Sequence, residues 1–170
     1  TACSGFQKQA SKPPGTHITR MALVEGTAVV LHTIFAGVWV GSVVFMTASV
    51  LPMAKDGLLD PEAVERASGQ LTTITRVSSL LLLATGSLMA SSFYTAERLF
   101  GSGSGHLVLT MVALWLVLTG LLEMTTRRLE DGLQAQRVRA PAAETETWFR
   151  AASVIGLALL TVGGVVSSGV

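Results

Sequence analysis

The sequence predicts an all-α integral membrane protein, an antiparallel bundle of four transmembrane helices, and three observations predict it. Only 14% of the 170 residues are charged, against about 25% in an average soluble domain. Those charges are segregated, which leaves four long apolar runs. The runs do not alternate in polarity, as the strands of a membrane barrel do.

The first run spans 26–54, from Gly26 to Ala54, with no charge until Lys55. The second covers about 71–95 and holds one charge, Arg76, near its start. The third covers about 106–126, with Glu123 near its end, and the fourth about 149–170, with Arg150 at its start. A helix needs about 20 residues to cross the hydrocarbon core, and every run meets that length. Backbone groups in lipid must be satisfied within the segment, so helix is the form these runs take.

The connections agree with this division. Asp56-Gly57 and Asp60-Pro61 close the first helix. Pro61-Glu62-Ala63-Val64-Glu65 reads as a helix start, with proline in the first turn and acids near the positive end of the dipole. Gly101-Ser102-Gly103-Ser104-Gly105 reads as a flexible turn, and Arg127 to Glu146 as a charged connection, partly helical and broken at Pro141. Residues 1–20 are polar and read as a tail or cloning remnant ahead of a domain over 21–170.

Lys55, Arg66, Arg76, Arg127, Arg128, Arg137, Arg139 and Arg150 lie on or beside the first and third connections. The positive-inside rule puts those connections in the cytoplasm and both termini outside, so the chain is expected to be a multi-pass protein of the cell membrane. Its net charge of +1 argues against nucleic acid as a partner. The single cysteine, Cys3, excludes an internal disulfide.

Small-residue pairs recur in the runs: Gly37/Gly41, Gly86/Ala90, Gly163/Ser167 and Gly164/Ser168. Such pairs let helix backbones approach closely, either within the bundle or against a second copy or another membrane subunit, and the sequence alone does not separate the two. Arg76 and Glu123 would both lie near the cytoplasmic face. They are expected to bridge one another or to snorkel, with Glu123–Arg127 as a local alternative.

No signature of a soluble enzyme is present, and a binding or carrier role is expected rather than catalysis. His32 lies about 10 Å into the first run at about 1.5 Å per residue, so it should face the bundle. Trp39, seven residues on, shares that face. Met89 and Met111 fall at roughly 7–9 Å below the outer boundary, with His106 above them at the mouth. Imidazole with thioether suits Cu(I). Histidine pairs, or histidine with methionine, suit haem iron. The other reading of the same residues is cofactor-free: His32 bonded to a serine or threonine of another helix, His106 at the interface and the methionines as core filler.

The segment His32-Thr33-Ile34-Phe35-Ala36-Gly37-Val38-Trp39-Val40-Gly41, followed by Pro52, resembles the first signature helix of the copper-resistance protein D (CopD)-like membrane family. Arg76-Val77-Ser78, Leu80 to Leu83 and Thr85-Gly86 resemble its next helix, a basic residue and serine followed by an apolar run and Thr-Gly. The resemblance covers about Leu31 to Ala90, with a looser match through helices three and four, and implies copper handling at or across the membrane, carried by His32 and Trp39. A second resemblance, to small four-helix haem-binding relatives of protoporphyrinogen oxidase, implies haem b. The expected site is therefore His32, His106 and Trp39 toward a cofactor and His32, Met89, Met111 and His106 toward a metal. The alternatives are a cofactor-free scaffold or accessory subunit and a small-solute transporter.

Overall fold

The computed structural model describes residues 15–134 and 139–168. Its elements are α1 (Gly15–Phe45), a π-helical turn (Met46–Val50), α2 (Leu51–Lys55), α3 (Pro61–Phe93), α4 (Ala96–Gly101), α5 (Gly103–Gln134) and α6 (Arg139–Ser167), with no strand among the described residues. Four helical stretches are long and apolar enough to cross a membrane: Met21–Lys55, Pro61–Phe93, Gly103–Leu133 and Arg139–Ser167. One overlaps each apolar run. The tail expected over 1–20 lies outside the described residues up to residue 14, and 15–20 are the first residues of α1.

The helices close into a ring in which α1 packs on α3, α3 on α5, α5 on α6 and α6 on α1. Neighbours are antiparallel: Trp39 meets Thr75 and His32, farther back on α1, meets Thr85, farther on along α3. The interior is filled by side chains such as Trp39, Val43, Leu118, Leu122 and Phe149, none more than 1% exposed. Large apolar side chains also cover the outside, among them Val30, Ile34, Leu80, Leu116 and Val154. A water-soluble bundle turns polar residues outward. An apolar belt on every helix matches lipid.

The first span is not uniform. Pro52 has no backbone N–H to donate, and the helix widens just before it, where the Leu51 N–H bonds the Met46 carbonyl to give a π turn. The chain then stops in a Schellman arrangement. Gly57 adopts φ 74° and its N–H bonds the Ala54 carbonyl, while the Leu58 N–H reaches that of Met53. Asp60 stands in the extended region and Pro61 opens α3.

Two expectations for the connections are corrected. Gly101 to Gly105 is not a flexible turn. The Ser102 hydroxyl accepts the Gly105 N–H at 3.1 Å, so it caps α5, and Gly103 to Gly105 are already helical. Gly105 is fitted there closely, since a Cβ would collide with the backbone carbonyls of Arg98 and Leu99. Pro141 does not break the third connection either. It lies in the first turn of α6, where a missing N–H costs nothing, and its ring packs over Gly132 of α5.

Charged groups tie the helices at the end of the bundle that carries the Asp56–Asp60 connection. Arg76 Nη2 lies 2.6 Å from Glu123 Oε1, and Arg127 Nη2 lies 2.9 Å from the same oxygen, so the two pairings expected as alternatives form together. Glu146, only 15% exposed, pairs with Lys55 of α2 and with Arg150. Ser68, fully buried on α3, donates to Glu130 of α5 at 3.3 Å.

Candidate functional site

The inward stripe of α1 carries His32, Phe35, Ala36 and Trp39, and it lies against α3. His32 is half-buried, with Nδ1 2.9 Å from the Thr85 hydroxyl. The next residue, Gly86, makes room for the ring: a Cβ there would stand 3.3 Å from His32 Cε1. The Thr-Gly pair of α3 thus supplies one polar anchor and one gap for the imidazole.

Thr85 Oγ1 also lies 2.7 Å from the Leu81 carbonyl, to which a hydroxyl can only donate. When that bond is made, the hydroxyl's single proton is used, and Thr85 accepts from His32 Nδ1–H. Nε2 is then left with a free lone pair. This is the tautomer in which an imidazole can ligate through Nε2 while its other nitrogen is fixed by a partner.

Trp39, two turns on, is buried and donates its indole N–H to Thr75 at 3.1 Å. Its polar atom is committed within the protein, and the ring fills the core between α1 and α3. Both nitrogen heterocycles of the stripe are therefore fixed by threonines of one neighbouring helix. The hydrogen bond from His32 to a hydroxyl of another helix, one of the two arrangements the sequence left open, is formed, with the ring half-buried.

The remaining candidates are distributed more widely. Met89 is half-buried on α3, one turn beyond Thr85. Met111 is half-buried on α5 and points its methyl at α6, where a Cβ on Gly163 would lie 3.5 Å from Met111 Cε. His106 is exposed in the first turns of α5. Among the described residues no three His, Cys, Asp or Glu side chains gather as a metal site. The two thioethers lie on different helices, Met89 on α3 and Met111 on α5. The α3–α5 register bears on this. Arg76 faces Glu123 and Ser68 faces Glu130. Carried along the two antiparallel helices, that register sets Met89 level with Leu109 and Thr110, and Met111 level with Ser87 and Leu88.

Outside the ring, the small-residue pair of α1 behaves differently from the pairs led by Gly86 and Gly163, and Gly164 likewise has nothing within 4 Å of a Cβ position. Gly37 and Gly41 have nothing within 4 Å of a Cβ position, and they line a groove of about 390 Å³ with Val38, Phe45 and Gln70. Gly86 and Gly163, in contrast, face other helices of the bundle.

Sequence reasoning placed His32 and Trp39 on one face, offered His32 a serine or threonine of another helix without saying which, and assigned Trp39 no partner. Thr75 carried no distinguishing signal, while Thr85 and Gly86 were visible only as a Thr-Gly step. The family profile described as Copper resistance protein D matches residues 65–166, which takes in most of α3 and α6 and all of α5. Thr85, Gly86, Met89, His106 and Met111 lie within the match, and His32 and Trp39 precede it. No curated protein matches the chain, and no solved structure does. Because the profile spans more than half of the sequence, the chain belongs to the copper resistance protein D family.

Proposed function

We propose that this protein handles copper at the membrane by holding the ion in the half of the bundle that contains His32, with the imidazole Nε2 as the anchoring ligand. The observation that carries the reading is the placement of the imidazole, with Nδ1 against Thr85 and the ring seated over Gly86; Nε2 is left to ligate when the Thr85 hydroxyl donates to the Leu81 carbonyl. In this reading the thioethers of Met89 on α3 and Met111 on α5 complete a donor set of one nitrogen and two sulfurs. That is the soft set Cu(I) prefers over harder divalent ions. His106, exposed near the start of α5, serves in this reading as a surface ligand on the way in.

The distribution of basic residues supports an orientation. Lys55, Arg66, Arg76, Arg127, Arg139 and Arg150 gather at the other end of the bundle, which the positive-inside rule assigns to the cytoplasm. The copper half and both termini would then face outward.

The test is metal analysis and an absorption spectrum of the protein purified in detergent after copper loading. About one equivalent of copper, lost in His32→Ala, is the expected result. A Soret band lost in the same variant would replace copper by haem b as the ligand. No cofactor under either condition would overturn the reading.

A second reading, of a subunit within a larger membrane assembly, is favoured by one observation: Gly37 and Gly41 open outward on α1, flanked by exposed Ile34, Val38 and Phe45. A stripe of this kind suits close approach of a second helix. Gly41→Leu would then abolish crosslinking between copies, or to a co-purifying subunit, while leaving copper binding in place.

A further inference from the structure

Glu123 of α5 holds two arginines on one carboxylate oxygen. Arg76 Nη2 reaches Oε1 from α3 at 2.6 Å, and Arg127 reaches the same oxygen through Nε at 3.2 Å and Nη2 at 2.9 Å. Two guanidiniums thus share one negative charge, and one positive charge is left over. The carboxylate is the shielded partner, 29% exposed, while the Arg76 and Arg127 side chains stand 60% and 69% exposed on the outer rim of the α3–α5 seam. Each guanidinium carries more N–H donors than Glu123 engages.

Helix length sets the depth of this pair. Arg76 lies 17 residues before Phe93, the end of α3, and Glu123 lies 17 residues after His106 in the first turns of α5. Each stretch is about 25 Å long at about 1.5 Å per residue, against a hydrocarbon core about 30 Å thick. With the far ends of the helices at one face of the membrane, the arginines stand within about 5 Å of the other face, where the lipid phosphates begin.

Toward the middle of the bundle the same seam is apolar and open. Leu80 and Leu83 follow Arg76 on its face of α3, Leu116 lies two turns from Glu123 on α5, and all three are exposed. The α3–α5 register puts Leu83 level with Trp115 and Leu116. Gly120, between Leu116 and Glu123, has nothing within 4 Å of a Cβ position, so the track between the leucines stays open. Toward the end of the bundle the surface turns acidic. Glu130, seven residues past Glu123, accepts from Ser68 and lines a hollow with Glu62, Glu65 and Arg66, where acids are in excess. An anion is repelled there, so the basic notch is bounded on that side.

A basic notch at phosphate depth, continuous with an exposed apolar track, fits an anionic amphiphile. We propose that the α3–α5 seam seats one anionic phospholipid, its phosphate bound by Arg76 and Arg127 and an acyl chain lying along Leu80, Leu83 and Leu116. Guanidinium forks match phosphate oxygens with charge-assisted hydrogen bonds, and basic pockets between membrane helices hold such headgroups. A zwitterionic lipid brings its own cation beside the phosphate, which the arginines repel. The inference is independent of copper and of which face of the membrane is cytoplasmic.

The test uses the full chain in detergent micelles, without added metal, and counts bound lipid by native mass spectrometry during titration with dioleoyl phosphatidylglycerol or dioleoyl phosphatidylcholine. The expected result is a one-lipid adduct with phosphatidylglycerol, held about tenfold more tightly than phosphatidylcholine. Arg76→Gln combined with Arg127→Gln should abolish that preference, and Arg128→Gln, on another face of α5, should keep it. Glu123→Gln removes the competing carboxylate and should tighten phosphatidylglycerol binding, whereas arginines that serve only to brace the seam predict no such gain. If the double variant fails to accumulate, Glu123→Gln decides alone. Equal retention of the two lipids by the unaltered protein, a loss in Arg128→Gln as large as in the double variant, or unchanged or weaker phosphatidylglycerol binding in Glu123→Gln would overturn the proposal.

Discussion

His32 Nδ1 lies 2.9 Å from Thr85 Oγ1, and the same hydroxyl lies 2.7 Å from the Leu81 carbonyl, so a histidine of α1 is tied through one side chain to the backbone of α3. This chain of contacts fixes the ring's orientation and leaves its tautomer to Thr85. Partners of this kind, one bond removed from a metal, change affinity by about 10–100-fold when lost. Thr85→Val should therefore weaken copper binding by about that factor, and Thr85→Ser should restore it. Titration against a competing Cu(I) chelator measures both. Unchanged affinity in Thr85→Val would show that the hydroxyl does not orient a ligand.

Gly86 tests the same pocket by volume instead of polarity. A methyl at this position would press on His32 Cε1 at 3.3 Å, a distance that a small ring movement relieves. A branched side chain cannot be accommodated that way. Gly86→Ala should be close to neutral, and Gly86→Val should cost about 1–3 kcal/mol through overpacking. Unfolding in mixed detergent micelles gives the comparison, and equal stability of the two variants would mean that the helices part easily here.

The ion pairs at the charged end should differ from one another. Glu62–Arg66 is exposed on both sides, at 82% and 70% of the side-chain surface, and Glu62→Gln should change stability by less than about 0.5 kcal/mol. Glu146 is held by Lys55 from another helix and by Arg150, and it is mostly shielded. Glu146→Gln should be the more damaging of the two, because it weakens two charge-assisted hydrogen bonds at once. The reverse order in thermal unfolding would assign closure of the α2–α6 contact to apolar packing alone.

How much of this was legible in the sequence follows from what an apolar pattern encodes. The four spans could be read because length and the lack of charge are one-dimensional properties. The Arg76–Glu123 contact could be read because a charge inside a span needs a partner, and depth along the helix leaves few. Thr85 could not be identified as the partner of His32. In lipid both faces of a helix are apolar, so periodicity does not mark the inward face, and rotation about the helix axis stays hidden. For the same reason Gly37 and Gly41 could not be assigned to the inside or the outside of the bundle. The Gly101–Gly105 segment misled because its composition signals a turn, whereas one side chain, that of Ser102, decides that α5 begins there. Pro141 misled similarly: proline breaks a helix interior but suits a first turn, and the sequence did not show where α6 starts.

The Trp39–Thr75 pair offers the sharpest separation between packing and hydrogen bonding, because both side chains are almost wholly buried and the bond between them is 3.1 Å long. Thr75→Val keeps the shape of the side chain and removes the acceptor, leaving an indole N–H stranded in the core at a cost of about 1 kcal/mol. That figure sits within the range of hydrogen bonds between membrane helices. Trp39→Phe removes the donor but also the larger ring, and the void adds a packing loss of about 1–3 kcal/mol. If the hydrogen bond is what couples the two sites, adding Thr75→Val to Trp39→Phe should cost almost nothing, since no donor remains to strand. Unfolding of the four proteins in the cycle measures the coupling. Full additivity would mean that Thr75 serves the indole only as a surface to pack on, and that the α1–α3 contact is held by shape.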